Sequence, residues 1–211
     1  MELTHFGHAC VLVQTPTARL LIDPGTLSSG FEDARDLDAV LITHQHADHL
    51  DLARLGALLA ANPGVALIVD PGSAPSIVAA GFEHRVVEAG NRFTVGESVI
   101  DVMGGEHALI HSDVPVVPNG GFIVDDGAFY HPGDSYFVPV HSIDVFAVPA
   151  SGPWLKVGEA VDFLRAVGAR IAIPIHEAAL SNTATHYAIM GKLAPTETAF
   201  TPVDRGQTLV V

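Results

Sequence analysis

Ala39-Val40-Leu41-Ile42-Thr43-His44-Gln45-His46-Ala47-Asp48-His49 decides the reading of this chain. The apolar run Ala39–Ile42 has the length and branching of a buried strand. Directly after it come three imidazoles and a carboxylate. His44 and His46 are two apart, so in extended chain they leave the same side and can reach one ion. Asp48 and His49 follow a bend, where a helix begins, and can face a second ion. Imidazole and carboxylate are the donors expected for zinc, manganese or iron. The chain has 12 His in 211 residues, so some clustering is expected by chance, and a His-rich tract can be a loose surface binder. The position between an apolar strand and an amphipathic helix favours a built metal site.

The same format recurs elsewhere: an apolar strand ends and a ligand-type residue follows at once. Leu20-Leu21-Ile22 ends at Asp23-Pro24-Gly25, Val99–Met103 at Gly104-Gly105-Glu106-His107, Phe129-Tyr130 at His131-Pro132-Gly133-Asp134, and Ile171–Ile175 at His176. Strand ends along one edge of a layered fold are common places for a site. Taken singly, each is an ordinary turn, cap or buried histidine; their repetition suggests one constellation.

Around these points the pattern predicts strands at Glu2–Phe6, Ala9–Gln14, Arg19–Ile22, Ala39–Thr43, Val65–Val69, Arg85–Val87, Arg92–Val95 and Ser98–Val102. It continues with a hairpin of Phe122–Val124 and Ala128–His131 around Asp125-Asp126-Gly127. Strands at Asp144–Val148, Ala169–Ile175 and Gln207–Val211 follow. Helices are expected at Leu50–Ala61, Ala74–Ala80, Val157–Val167 and Thr185–Lys192. Strands mixed with helices imply an α/β layered fold, and the length suits a single domain over 1–211.

Composition narrows the function. Hydrophobic residues make up 48% and charged residues 16%, which suits a globular chain. The formal net charge is −14 with only 10 Lys and Arg, which argues against nucleic acid or an anionic membrane as partner. Cys10 is the single cysteine and lies in an apolar run, so it reads as a buried structural thiol, and a Cys-rich zinc site is excluded. The N-terminus lacks the pattern of a signal peptide, and no apolar run is long enough for a bilayer, so a cytoplasmic protein is expected.

Together these residues resemble the metallo-β-lactamase superfamily, almost end to end. The resemblance rests on the His-x-His-x-Asp-His motif of His44 to His49 with its accessory residues in order. It implies a four-layer αββα sandwich, two mixed β-sheets face to face with helices outside, and a binuclear site at one edge. It further implies that His44, His46 and His107 bind one metal and Asp48, His49 and His176 a second. Asp134 would bridge them, and Asp23 would hold a ligand imidazole in place. The element His5-Phe6-Gly7-His8-Ala9 is similar to the ascorbate-6-phosphate lactonase-like branch, which makes His8 a candidate for lining the site. The stretch Ser151–Lys156 departs from the Gly-Gly-rich loop of those lactonases. His46 sets the chain apart from flavodiiron oxidoreductases, which carry Glu there.

The expected enzyme is therefore a hydrolase with two divalent ions, zinc foremost and Mn2+ or Fe2+ admissible. A hydroxide bridging ions about 3.5–4 Å apart would attack a small ester, lactone or phosphodiester, with Asp48 orienting it. His111 and His131 are further candidates for holding substrate or carrying a proton, with a surface histidine the alternative for His111; Trp154 with Lys156 could form a pocket wall with one cation, and Trp154 reads equally as a packing anchor. The competing reading is a non-catalytic member of the fold retained for binding or regulation; an intact ligand set favours the enzyme.

Overall fold

The computed structural model describes all 211 residues. The elements run β1 (Glu2–His5), β2 (Val11–Gln14), β3 (Arg19–Ile22), β4 (Ala39–Ile42), α1 (Leu52–Ala61), β5 (Ala66–Val69), α2 (Ala74–Ala79) and β6 (Arg85–Val86). They continue with β7 (Arg92–Val95), β8 (Ser98–Glu106), β9 (Pro118–Val124), β10 (Phe129–His131), β11 (Val145–Pro149), α3 (Val157–Val167), β12 (Ile171–Ile175), α4 (Ala184–Leu193), β13 (Ala199–Phe200) and β14 (Thr208–Val210).

The strands form two seven-stranded sheets, β14-β1-β2-β3-β4-β5-β6 and β13-β12-β11-β10-β9-β8-β7. Each is mixed: β3 to β6 and β10 to β13 run parallel, and the remaining pairs are antiparallel. The period-two alternation of side chains explains the layering. Leu20, Ile22, Ala39 and Leu41 point between the sheets, where they meet Val102, Phe122, Val145 and Ala147. Their neighbours Leu21, Val40 and Ile42 point the other way, onto Leu55 and Leu58 of α1 and Ile77 of α2. On the second sheet Phe146 and Val148 turn outward onto Phe163 and Leu164 of α3 and Met190 of α4. Three apolar interfaces therefore separate four layers, the αββα sandwich. Strands buried on both faces need the continuous apolar runs that β4 and β11 carry. No helix is long and apolar enough to cross a membrane.

Several boundaries differ from expectation for physical reasons. The strand expected at Ala9–Gln14 begins at Val11, because Gly7 to Cys10 form a turn with His8 at φ 53°. The first helix begins at Leu52 rather than Leu50. Leu50 N–H and His49 N–H are spent on His46 O, and Asp51 caps the helix with its carboxylate on Ala53 N–H and Arg54 N–H. Two strands are longer than expected, β8 to Glu106 and β9 from Pro118. Gly104 and Gly105 pair with Gly120 and Asn119, residues of low strand propensity that the sheet holds by register. The two-residue β13 has no expected counterpart. The Asp125-Asp126-Gly127 turn does join β9 to β10 as an antiparallel pair.

Candidate metal centre

Every candidate ligand leaves the end of a strand or the turn after it, at one edge of the sandwich. His44 to His49 follow β4, His107 follows β8, Asp134 follows β10 and His176 follows β12. The donor atoms converge in two sets: His44, His46, His107 and Asp134, and His8, Asp48, His49 and His176, the atoms of each set lying within 4.8 Å of one another. Asp134 stands between them. Its Oδ2 is 3.3 Å from His107 Nε2 and 3.2 Å from His176 Nε2, and its Oδ1 is 3.2 Å from His49 Nε2.

Backbone devices hold these rings. His176 takes a left-handed conformation (φ 62°) and its N–H donates to His8 O. A Cβ on Gly25 would lie 1.8 Å from Asp48 O, so only glycine lets the loop after β3 pack on the ligand loop. Gly133 at φ 61° would set a Cβ 2.3 Å from Asn119 Oδ1. Asn119 Oδ1 accepts from Asp134 N–H at 2.9 Å, so this buried amide carries the Asp134 turn.

In His44, His49 and His107 the nitrogen facing away from the cluster is tied and the other is turned inward, which sets their tautomers. His49 Nδ1–H donates to Asp23 Oδ2 at 2.7 Å, and His107 Nδ1–H to Ala108 O at 2.6 Å. His44 Nδ1–H faces Thr43 Oγ1 at 3.0 Å, and Thr43 Oγ1–H itself donates to Asp23 Oδ2 at 2.7 Å. His44 Nε2 then faces His46 Nδ1 at 3.1 Å. Inside the cluster His49 Nε2, His107 Nε2, both nitrogens of His176 and Asp134 Oδ1 are buried without a hydrogen-bond partner. Buried polar atoms are rarely left so, and a shared cation is a reason for it. The donors are imidazole and carboxylate, with no thiol, so they fit a divalent transition ion.

Electrostatics agree, because the cluster draws positive charge. Burial pushes the imidazoles of His49 and His176 down, but Asp134 and other carboxylates outweigh it. His49 is held well above the usual histidine range and His176 is raised to about 9. Burial pushes the Asp48 and Asp134 carboxyls up, yet the surrounding imidazoles hold both well below the usual carboxylate range. His44, buried among other imidazoles, is pushed well below its ordinary value.

The remaining candidates divide. His8 is fully buried, its Nε2 is 3.0 Å from Asp48 Oδ2, and its ring centroid is 3.9 Å from that of His176. Trp154 is no outer wall: it is buried, and its indole N–H donates to Asp134 Oδ2 at 2.9 Å. Lys156 is exposed at the start of α3. His131 lies outside the cluster, with Nε2–H donating to Ala9 O and Nδ1 accepting from Gly133 N–H, so both ring nitrogens are spent on the backbone. His111 is 63% exposed and its Nδ1 accepts from Asp113 N–H. Sequence reasoning missed Thr43, Asn119 and Glu177, whose Oε1 accepts from His8 N–H. It also missed His5, whose Nε2 faces His8 O. A threonine between a strand and a histidine, or an asparagine before two glycines, carries no signal of its own.

Two sheets between helices with imidazoles and carboxylates gathered at one edge define a metallo-β-lactamase fold. The chain belongs to the β-lactamase superfamily: residues 2–176 match the family described as "Beta-lactamase superfamily domain". It is 42% identical over 214 residues to protein Rv0786c of Mycobacterium tuberculosis, covering 99% of this chain and all of that one. It is 27% identical to a UPF0173 metal-dependent hydrolase of Alkaliphilus metalliredigens, over 83% of this chain and 85% of the relative. Igni18, a metallo hydrolase of Ignicoccus hospitalis, has a similar fold, with TM-score 0.76 and 20% identity over 99% of this chain and 97% of its own.

Proposed function

We propose that this chain is a single-domain metal-dependent hydrolase of a small ester, lactone or phosphodiester, built around two divalent cations. His44, His46 and His107 hold one cation, Asp48, His49 and His176 the other, and Asp134 is shared. The donor set suits zinc best and also accepts Mn2+ or Fe2+. When bound, such a pair supplies Lewis acidity and makes water a nucleophile at neutral pH. The protein supplies position. Asp48, whose side chain is 28% exposed at the open side of the cluster, orients the attacking water. His8 fixes the other face of that carboxylate. Trp154 and Asn119 fix Asp134, one through its carboxylate and the other through its backbone. Asp23 fixes His49 and, through Thr43, His44.

The observation that supports this reading is the convergence of partnerless buried donors from both sheets on one small volume. The test is elemental analysis of purified protein together with turnover of aryl esters, lactones and bis-p-nitrophenyl phosphate. About two equivalents of a transition metal are expected, with metal and activity falling together in His46→Ala. Protein that binds no such ion tightly, or that carries it and hydrolyses nothing across the panel, refutes the proposal.

A further inference from the structure

The surroundings of the cluster bear on what kind of molecule reaches it. A cavity of about 550 Å³ opens beside His107. It lies between the end of β8 and the segment after Asp134, which Ala108 N–H clamps together by donating to Asp134 O at 2.7 Å. This is the size range of small-molecule sites, about 300–1,000 Å³. Its large side chains are Tyr136 and Phe137, and its one charged side chain is Glu106. A neighbouring cavity of about 360 Å³ shares Gly105 and likewise has one charged side chain, Glu88. On the same two segments Leu109 and Val138 are exposed, at 61% and 42%.

Cationic side chains are absent from the walls of both cavities beside the cluster. No Lys or Arg makes a hydrogen bond or ion pair with any candidate ligand, and none lines either cavity. Arg54, Arg92 and Arg170 are engaged by carboxylates elsewhere. Arg205 reaches Ser29, and Lys156 is exposed at the start of α3. Recognition of a phosphate normally uses arginine or lysine donors. Here an anion would instead approach past Glu106 on a chain of net charge −14.

We infer that the substrate is an uncharged carboxylic ester or lactone whose apolar acyl part lies against Phe137 and Tyr136, and not a phosphodiester. This rests on the hydrolase reading above and narrows it. The reaction is ordinary hydrolysis. Water forms the new C–O bond at the carbonyl carbon, the C–O bond to the leaving oxygen breaks, and that oxygen takes a proton from the water.

The test uses metal-loaded protein and p-nitrophenyl esters from acetate to octanoate, aliphatic lactones, and bis-p-nitrophenyl phosphate. Ester kcat/KM is expected to rise by about threefold to fourfold per methylene over the first few carbons, the factor for burying each one. It is expected to exceed the phosphodiester value by at least about 100-fold. Phe137→Ser should flatten the chain-length dependence with metal content unchanged. Glu106→Lys should raise phosphodiester turnover relative to ester turnover. Preferential cleavage of the phosphodiester, or an ester series indifferent to chain length in both wild type and Phe137→Ser, overturns the inference and leaves the hydrolase reading standing. Metal-loaded protein inert on every substrate removes the hydrolase reading itself, and this inference with it.

Discussion

Asp23 is fully buried at φ 51°, a left-handed conformation that aspartate and asparagine tolerate better than most residues. Its two oxygens accept from Thr43 N–H, Thr43 Oγ1–H and His49 Nδ1–H. Asp23→Asn keeps the backbone and one oxygen but turns an NH2 toward two groups that need an acceptor. His49 then loses the anchor that aims Nε2 at the cluster. Metal affinity should fall by about 10–100-fold with the fold retained, the usual cost of losing such a support. Competition against a chromogenic chelator reads this directly, and unchanged affinity would reject the role. Gly25→Ala is harsher, because its Cβ would meet the Asp48 backbone at 1.8 Å. It should cost about 3 kcal/mol by overpacking and lower the metal content, measured by urea melt and elemental analysis. The donor residues were legible in sequence because each follows an apolar strand. Thr43 and Asn119 were not, since a hydroxyl or amide acquires its role only from neighbours distant in the chain. Trp154 reads equally as a wall or an anchor until its N–H is seen to have a partner.

Among the elements, α1 shows how local chemistry and the site share a boundary. Asp51 caps the helix on Ala53 and Arg54 N–H and pairs with the Arg54 guanidinium, while Asp51 N–H donates to Pro24 O beside the ligand loop. Asp51→Ala removes the cap and should destabilise the protein by about 1–2 kcal/mol. A urea midpoint shift with unchanged slope tests this, and stability within about 0.3 kcal/mol of wild type would show the cap to be idle. Elements with a strong period were readable, so β3, β4, β11 and α3 lie where their apolar patterns place them. The ends of β8 and β9 were not, because Gly104-Gly105 opposite Asn119-Gly120 reads as loop until the facing strand is known. The same glycines let the end of β8 lie beside the cavity next to His107. The site thus shapes the sequence where propensity predicts it worst.

Across the whole molecule, the cluster is assembled from both sheets. The first sheet brings His8, His44, His46, Asp48 and His49; the second brings His107, Asp134 and His176. The interface between the sheets is otherwise apolar, and the cluster is its polar end. Each set joins residues of the His44–His49 loop to partners far away in sequence, His107 and Asp134 or His8 and His176, so a cation binds the folded state far more tightly than the unfolded chain. Linkage then makes metal affinity a stability term. Occupancy at about 1,000 times the dissociation constant contributes about 4 kcal/mol per independent site. For a chain of this size each kcal/mol moves Tm by about 2–4 °C. Stripping metal with a chelator should therefore lower Tm by about 10 °C or more, and re-addition of zinc should restore it. His46→Ala, which removes a ligand of one of the two sets, should lose about half of that metal-dependent shift. The stripped wild type should keep its far-ultraviolet circular dichroism, because the three apolar interfaces do not depend on the cations. A Tm indifferent to chelator would show that no cation links the sheets, whereas loss of secondary structure on stripping would show that the apolar layers are too weak to hold the sandwich alone.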